Sequence, residues 1–298
     1  MDDKNLEKKA GYLLQDFRLF HIQDQLSKEF EFHYHDFHKI IFFLSGNVTY
    51  QIEGKSYYLK PQDLLLVNQY ALHKAEVAPT VPYDRIILWI RPDLPHLIQG
   101  DDLSSCFRKA SDRSFNLIRL HEELQRQLQD LFLHLEKVSK SQEFGASQLN
   151  QALFVQLMVY LNRIFLEKKY IQDQESYSCD KQIQDLLRYI NHNLSDDLSI
   201  EILSQKYYLS KYHLMRKFKA QTGYTLHSYI LQKRLLLART LIQQGISITT
   251  ACTQSGFGDY TTFSRAYKKQ FHVTPSSHSP LGVTKVRKPT STPPSPQF

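Results

Sequence analysis

The chain has 298 residues, 42% hydrophobic and 22% charged, the balance of a globular protein with room for two cores. No stretch approaches the roughly 18 consecutive apolar residues of a membrane helix, and the opening MDDKNLEKKAGYLLQDF lacks the apolar segment and cleavage site of a secretory signal, so a cytoplasmic protein without membrane contact is expected. Cys106, Cys179 and Cys252 are each more than 70 residues from the next, which excludes a CxxC redox pair, a zinc knuckle and a disulfide framework and leaves buried thiols. The net charge of +7 is unevenly placed: residues 1–179 hold 21 basic and 24 acidic residues, whereas residues 180–278 hold 13 and 6. A basic segment joined to a slightly acidic one implies a polyanionic partner for the first and another role for the second.

Residues 30–115 read as short strands. Val48, Tyr50 and Ile52 alternate with polar neighbours, Glu53-Gly54 marks a hairpin, and Asp63–Val67 and Arg85–Ile90 are apolar runs of strand length. Several such strands at about 8–12-residue spacing describe a barrel or sandwich. Residues 119–167 turn helical: Leu120, Leu124, Leu128, Leu131, Leu135 and Val138 are spaced as a coiled-coil-like seam, and Leu149, Leu153, Leu157, Tyr160 and Ile164 line a second helix. Those helices serve either a homodimer through residues 119–167 or packing on their own barrel. Residues 168–181 show no sustained period and read as a linker.

From Lys181 the helical period continues in Ile183, Leu186, Leu187 and Ile190. Ser199 is placed to cap a short helix, with Leu198 and Leu203 as its hydrophobic staple, and Ser210 to cap another over 211–221, with Leu209 and Leu214 as staple and Gly223 as terminator. Two short helices with the second basic describe a helix-turn-helix. The pattern then repeats 49 residues on, laying Ser210 on Asp259, Leu214 on Phe263, Arg216 on Arg265, Phe218 on Tyr267 and Lys219 on Lys268. Repetition of a whole supersecondary unit is far less probable by chance than one motif. Between the units Thr225 caps a helix running to about Gln244, with Gly245 as the stop; roughly 19 residues give a rod of about 28 Å, close to one turn of duplex. Residues 279–298, rich in Pro, Ser and Thr, read as a disordered tail.

The stretches YLSKYHLMRKFKAQTGYTLHSYILQKRLLLARTLI and ITTACTQSGFGDYTTFSRAYKKQFHVTP resemble the DNA-binding domain of AraC/XylS-family bacterial regulators over about 100 residues. Ser204 and Cys252 depart from the family's usual Ala, and His272 from its frequent Gly. The resemblance implies that Tyr212, Met215 and Arg216 in the first unit, and Tyr260, Thr261, Ser264 and Arg265 in the second, face base edges. Arginine can donate bidentately to guanine, while Tyr and Met offer apolar contact to a thymine methyl. Lys211, Lys219 and Lys268 suit phosphates, and Leu214, Phe218, Phe263 and Tyr267 suit the core. Upstream, FHYHDFHKIIFFLSGNVTYQIEGKSYYLKPQDLLLVNQYALHK resembles the cupin-type sensor domain that accompanies this module in many members. Metal-dependent cupins bind their ion through a His-x-His pair, a Glu and a later His. Here Lys39 stands at the Glu position, and an ammonium cannot ligate a cation, so no metal and no other cofactor is expected. His33, His35, Lys39 and His73, with Tyr34, Phe43 and Tyr50 as aromatic walls, are instead candidate contacts for a small polar molecule; the same aromatics could equally just fill a small barrel.

The expected fold is α+β in two domains: a cupin-like β-barrel with following helices (1–167), a linker (168–181), a double helix-turn-helix (182–278) and the tail (279–298). The expected function is sequence-specific regulation of transcription, as an activator acting on double-stranded DNA and RNA polymerase in response to a small molecule such as a sugar, without enzymatic activity. A cupin-type metal enzyme fused to a DNA-binding module and a non-specific architectural DNA binder are the alternatives.

Overall fold

In the computed structural model, which describes residues 13, 15–25, 30–92, 100–113, 115–171 and 177–279, the apolar runs of the first half become two antiparallel sheets. One carries, in spatial order, β1 (Phe17–Asp24), β7 (Tyr83–Ile90), β2 (His38–Ser45), β5 (Leu64–Val67) and β8 (Leu117–Ile118). The other carries β6 (His73–Ala78), β3 (Asn47–Ile52), β4 (Lys55–Tyr58) and β9 (Tyr177–Cys179). β3 keeps its alternation, with Val48, Tyr50 and Ile52 buried, while the continuous run of β5 is buried throughout, as a strand covered on both faces should be. The hairpin between β3 and β4 turns on Glu53 and Gly54, both at positive φ (45° and 74°), the geometry whose twist matches paired strands.

Three features differ from expectation. β1 lies before the expected strand region and pairs along its whole length with β7. Ser105–Asp112, inside that region, is a helix, α1, burying Cys106, Phe107 and Ala110. Within 168–181, Tyr177–Cys179 joins the edge of β4 rather than remaining irregular. The expected opening segment (1–12), the middle of the linker (172–176) and the tail (280–298) lie outside the described residues.

Two helices follow, α2 (Glu122–Ser139) and α3 (Ala146–Leu166). The seam of α2 is spent inside its own domain: Leu128, Leu131, Leu135 and Val138 are buried in one core with Leu153, Leu157 and Ile164 of α3 and residues of both sheets. Outward on these helices stand Leu133, Leu149 and Leu166, each 44% exposed. A buried ion pair secures the domain: Arg119 Nε and Nη2 donate to Asp63 Oδ1 and Oδ2 at 2.8 and 2.6 Å, and Arg119 also reaches the Tyr58 carbonyl at 3.1 Å.

The second half is helical: α4 (Lys181–His192), α5 (Ile200–Lys206), α6 (Lys211–Thr222), α7 (Leu226–Gln243), α8 (Ile248–Gln254) and α9 (Tyr260–Phe271), then a 3-10 turn at Pro275–His278. Ser210, Thr225 and Asp259 cap their helices where expected and Ser247 caps α8: Thr225, Ser247 and Asp259 accept from the backbone N–H three residues on and Ser210 Oγ accepts from His213 N at 3.3 Å. Ser199 occupies the cap position of α5, but its side chain makes no cap bond. His272 takes the left-handed exit from α9 (φ 61°) that a glycine would adopt without steric cost. Chain contacts divide the protein into two compact units, residues 1–184 with 221–223, and 185–220 with 224–298. Among the described residues no helix is long and apolar enough to cross a membrane.

Candidate nucleic-acid interface and sensor site

In the helical unit α7 is the common wall of both helix-turn-helices. Tyr229 meets Phe218 of α6 edge-on at 5.5 Å, while Leu235, Ala238 and Ile242 share a core with Ala251 and Cys252 of α8 and Phe263 and Tyr267 of α9. Leu214, Phe218, Phe263 and Tyr267 are fully buried; truncating either Phe to Ala costs about 3–5 kcal/mol in such a core. Gly256, in the turn of the second unit, lies against the first: a Cβ there would come within 2.2 Å of the Leu194 carbonyl and 2.8 Å of Arg234 Nε. Arg234 itself donates to the carbonyls of Leu194 (2.9 Å) and Asp196 (2.6 Å).

With the apolar face of each helix spent inward, the opposite face stands out. On α6, Tyr212 is 70% and Met215 46% exposed, Arg216 and Lys219 are exposed, and the Arg216 guanidinium sits over the Tyr212 ring at 5.9 Å. These four form one wall of a groove of about 840 Å³ whose other walls include Ser199, Ile230 and Phe257. On α9, Tyr260, Thr261 and Arg265 are exposed and Ser264 is half-buried; Arg265 Nε donates to the Thr261 carbonyl one turn back at 3.4 Å. Among the described residues no carboxylate forms an ion pair with Arg216, Arg265, Lys219 or Lys268. Lys211 differs: it pairs with Glu201, whose carboxyl that hydrogen bond holds below the usual range. Such an exposed pair is worth little and can open toward a phosphate. Arg234 was not among the sequence candidates; its position on α7 gives no local signal, since Lys233 and Arg239 share that helix.

In the sheet unit three histidines converge. His33 and His73 form an isolated antiparallel bridge, exchanging backbone bonds of 3.0 and 2.9 Å, which puts their side chains on one face; His35, two residues on, shares it. The rings lie 4.4 Å (His33–His73), 4.5 Å (His35–His73) and 5.6 Å (His33–His35) apart. Backbone carbonyls fix two of them: Nδ1 of His33 donates to Glu31 O at 2.9 Å and Nδ1 of His73 to Ala71 O at 2.8 Å. His73 Nε2 and His35 Nδ1 are buried with no hydrogen-bond partner. Burial first, then the charges of Lys39 and His33, hold His35 well below the usual histidine range. Burial, then His35, Lys39 and His33, does the same for His73.

Lys39 donates to Tyr50 Oη at 3.2 Å, and the Tyr50 ring stacks on His73 at 5.9 Å. Burial, with Arg85 nearby, lowers the Lys39 ammonium to about 7. Phe43, on the same face of β2, is buried beside Tyr83, 6.0 Å away. Tyr34 is half-buried, on the alternate side of the extended chain between His33 and His35. The sequence reading missed Arg85, whose guanidinium grips Asp24 at 2.6 and 3.0 Å and lies over the Tyr83 ring at 4.0 Å. The six-coordinate ion of metal-dependent cupins does not fit these residues, because the position of its carboxylate is held by Lys39, which is committed to Tyr50.

Comparison with known proteins places both halves. Residues 19–158 match the family described as AraC-like ligand binding domain, and residues 203–279 the family described as helix-turn-helix domain. The HTH-type transcriptional activator RhaS of Salmonella schwarzengrund is 25% identical over 245 residues, 82% of this chain and 85% of that protein. The HTH-type transcriptional activator RhaR of Mannheimia succiniciproducens is 25% identical over 259 residues, 86% and 89% of the two chains. Among solved structures, an apo single-residue variant of ToxT from Vibrio cholerae aligns over 91% of this chain and 98% of its own at 14% identity and a TM-score of 0.38, too weak a likeness to bear on the arrangement. The chain is an AraC-family DNA-binding transcription regulator with an N-terminal sensor domain.

Proposed function

We propose that this regulator activates transcription by reading two neighbouring segments of one duplex, α6 entering the first and α9 the second. Arg216 and Arg265 donate to guanine edges, with Tyr212, Met215, Tyr260, Thr261 and Ser264 beside them, and Lys211, Lys219 and Lys268 hold phosphates and set register. The observation that carries this reading is the exposure of both arginines on helices whose buried faces are fixed to the same rod, α7. In this reading the functional division is a sensing and dimerising part (1–167), a connection (168–181) and a DNA-reading part (182–278). The cluster of His33, His35, Lys39, His73, Phe43 and Tyr50 takes a small polar effector such as a sugar, with Tyr34 at its margin, and the protein carries out no chemistry on it. Bound at a promoter in the bacterial cytoplasm, the protein recruits RNA polymerase, as the activator names of its relatives suggest. A second copy docks on the outward side of α2 and α3. Effector control requires that the ligand bind one conformation better than another, since equal affinity shifts nothing.

Selection of duplexes from a random library by the full-length protein, followed by competition, tests the reading. A selected duplex should resist competition by random duplex by roughly 10³-fold or more; equal competition would leave only a non-specific binder.

A further inference from the structure

We propose that the groove beside α6 and α7 is a second small-molecule site, for an organic anion with a flat apolar body and one carboxylate head, whose binding excludes DNA. The inference goes beyond the effector reading of the sensor domain. Its consequence for DNA rests on α6 being a reading helix.

The groove encloses about 840 Å³, within the roughly 300–1,000 Å³ of sites for small organic ligands. Its floor is Ile230 and Leu231 of α7, with Ile200 at the start of α5 and Phe257 after α8 at its sides. Tyr212 and Met215 of α6 complete the apolar lining with 70% and 46% of their surface exposed. Base reading calls on the outward tips of α6 and leaves the α7 floor unused. Concave apolar surface rimmed by charge is the usual form of a ligand site, and the Tyr212 and Phe257 rings offer faces to a flat body.

The rim sets the head group. Arg216 and Lys219 stand one turn apart on α6, both exposed, and neither has a carboxylate or other hydrogen-bond acceptor among the described residues. Arg234 is already committed to the carbonyls of Leu194 and Asp196. The acidic side of the rim is engaged too: Asp197 Oδ1 accepts the Ser199 N–H at 2.8 Å and Asp196 Oδ1 the Ser195 hydroxyl at 3.3 Å. Those carboxylates repel an anion, so the head lies toward α6 and the body along α7. A carboxylate there occupies the two side chains assigned above to guanine and phosphate, and ligand and duplex cannot bind together.

Full-length protein is dialysed against 2-naphthoate, and separately titrated with a selected, labelled duplex at rising naphthoate. One naphthoate per chain should bind saturably. The apparent Kd for the duplex should rise in proportion to free naphthoate without a plateau, as direct exclusion requires. The neutral analogue 2-naphthalenemethanol should act at least about tenfold more weakly, for want of the charge-assisted bonds. L231Q, which makes the half-buried floor polar, should weaken naphthoate about fivefold or more and leave duplex affinity nearly unchanged. The dialysis needs no duplex, so its outcome is independent of whether the DNA reading holds. No saturable binding, equal potency of the neutral analogue, a plateau in the displacement, or undiminished binding by folded L231Q protein would overturn the proposal.

Discussion

Replacing Gly256 by alanine tests whether the two helix-turn-helix units are held together as described. Gly256 has φ +85°, and Gly245, which ends α7, has φ +89°, so both substitutions carry the cost of a side chain in the left-handed region, about 1–2 kcal/mol. Their surroundings differ. A Cβ at Gly245 meets nothing within 4 Å, whereas one at Gly256 lies 2.2 Å from Leu194 O and 2.8 Å from Arg234 Nε. The Leu194 oxygen belongs to backbone and cannot step aside alone; relieving the overlap pushes the turn away and breaks the 2.9 Å bond from Arg234 to Leu194. Overpacking of this kind costs about 1–3 kcal/mol, and a hydrogen bond from a charged donor about 1.5–3 kcal/mol. G256A should therefore lose roughly 2.5–6 kcal/mol more than G245A, a gap of at least about 10 °C in the melting of a unit this size. Thermal unfolding of the full-length variants, followed by helical circular dichroism, measures it. Equal losses in the two variants would show that the close approach at Gly256 does not hold the units together.

Other outcomes follow from the sensor domain. D63A strands the Arg119 guanidinium in the core and should cost about 3–5 kcal/mol, while D63L combined with R119M should recover most of it; a cost below about 1 kcal/mol for D63A in urea unfolding would mean that the pair is not effectively buried. His38, stacked on Phe107 at 4.3 Å and accepting the Gln69 N–H at 3.2 Å, is lowered by burial from 6.5 to about 4. Because its folded pKa is depressed, the unfolded chain takes up the proton first on acidification. Stability is therefore full above about pH 6.5 and declines as pH falls toward about 4, by up to about 3 kcal/mol from this residue. His35 and His73, also lowered, act with the same sign. Urea midpoints at about pH 7.5 and pH 5 should separate by less in H38Q than in wild type; an unchanged separation would remove His38 from the account.

How much of this was readable in the chain depended on the range of the interactions. The DNA-binding half is written in local signals: caps at Ser210, Thr225 and Asp259 and stops at Gly223 and Gly245 all act within a few residues, and the 49-residue repeat matches the cap of the first basic helix, Ser210, with that of the second, Asp259. The sensor half depends on pairings that local reading does not supply. β1 mixes half-buried and exposed residues without clean alternation, and its identity as a strand comes from β7, whose paired residues lie 59 to 73 positions along the chain. The salt bridge between Asp24 and Arg85 depends on that register. His33 and His35 declare a shared face by their spacing, but their meeting with His73 follows from a single long-range bridge. The seam of α2 was correctly apolar; its partner, α3 and the sheets of its own domain, could not be distinguished by periodicity from a second chain. Lys39 argued against a cation by its type alone, whereas its direction, toward Tyr50, is set by packing.

The most direct test is to select duplexes separately with wild-type, R216A, R265A and K219A proteins and compare the base preferences. R216A should relax one position, R265A a second about 10 base pairs away, each at about 1–3 kcal/mol, and K219A should weaken all duplexes alike without changing preference. Loss of preference at one shared position, or uniform weakening by all three variants, would contradict a protein that reads two neighbouring grooves with two helices on one rod.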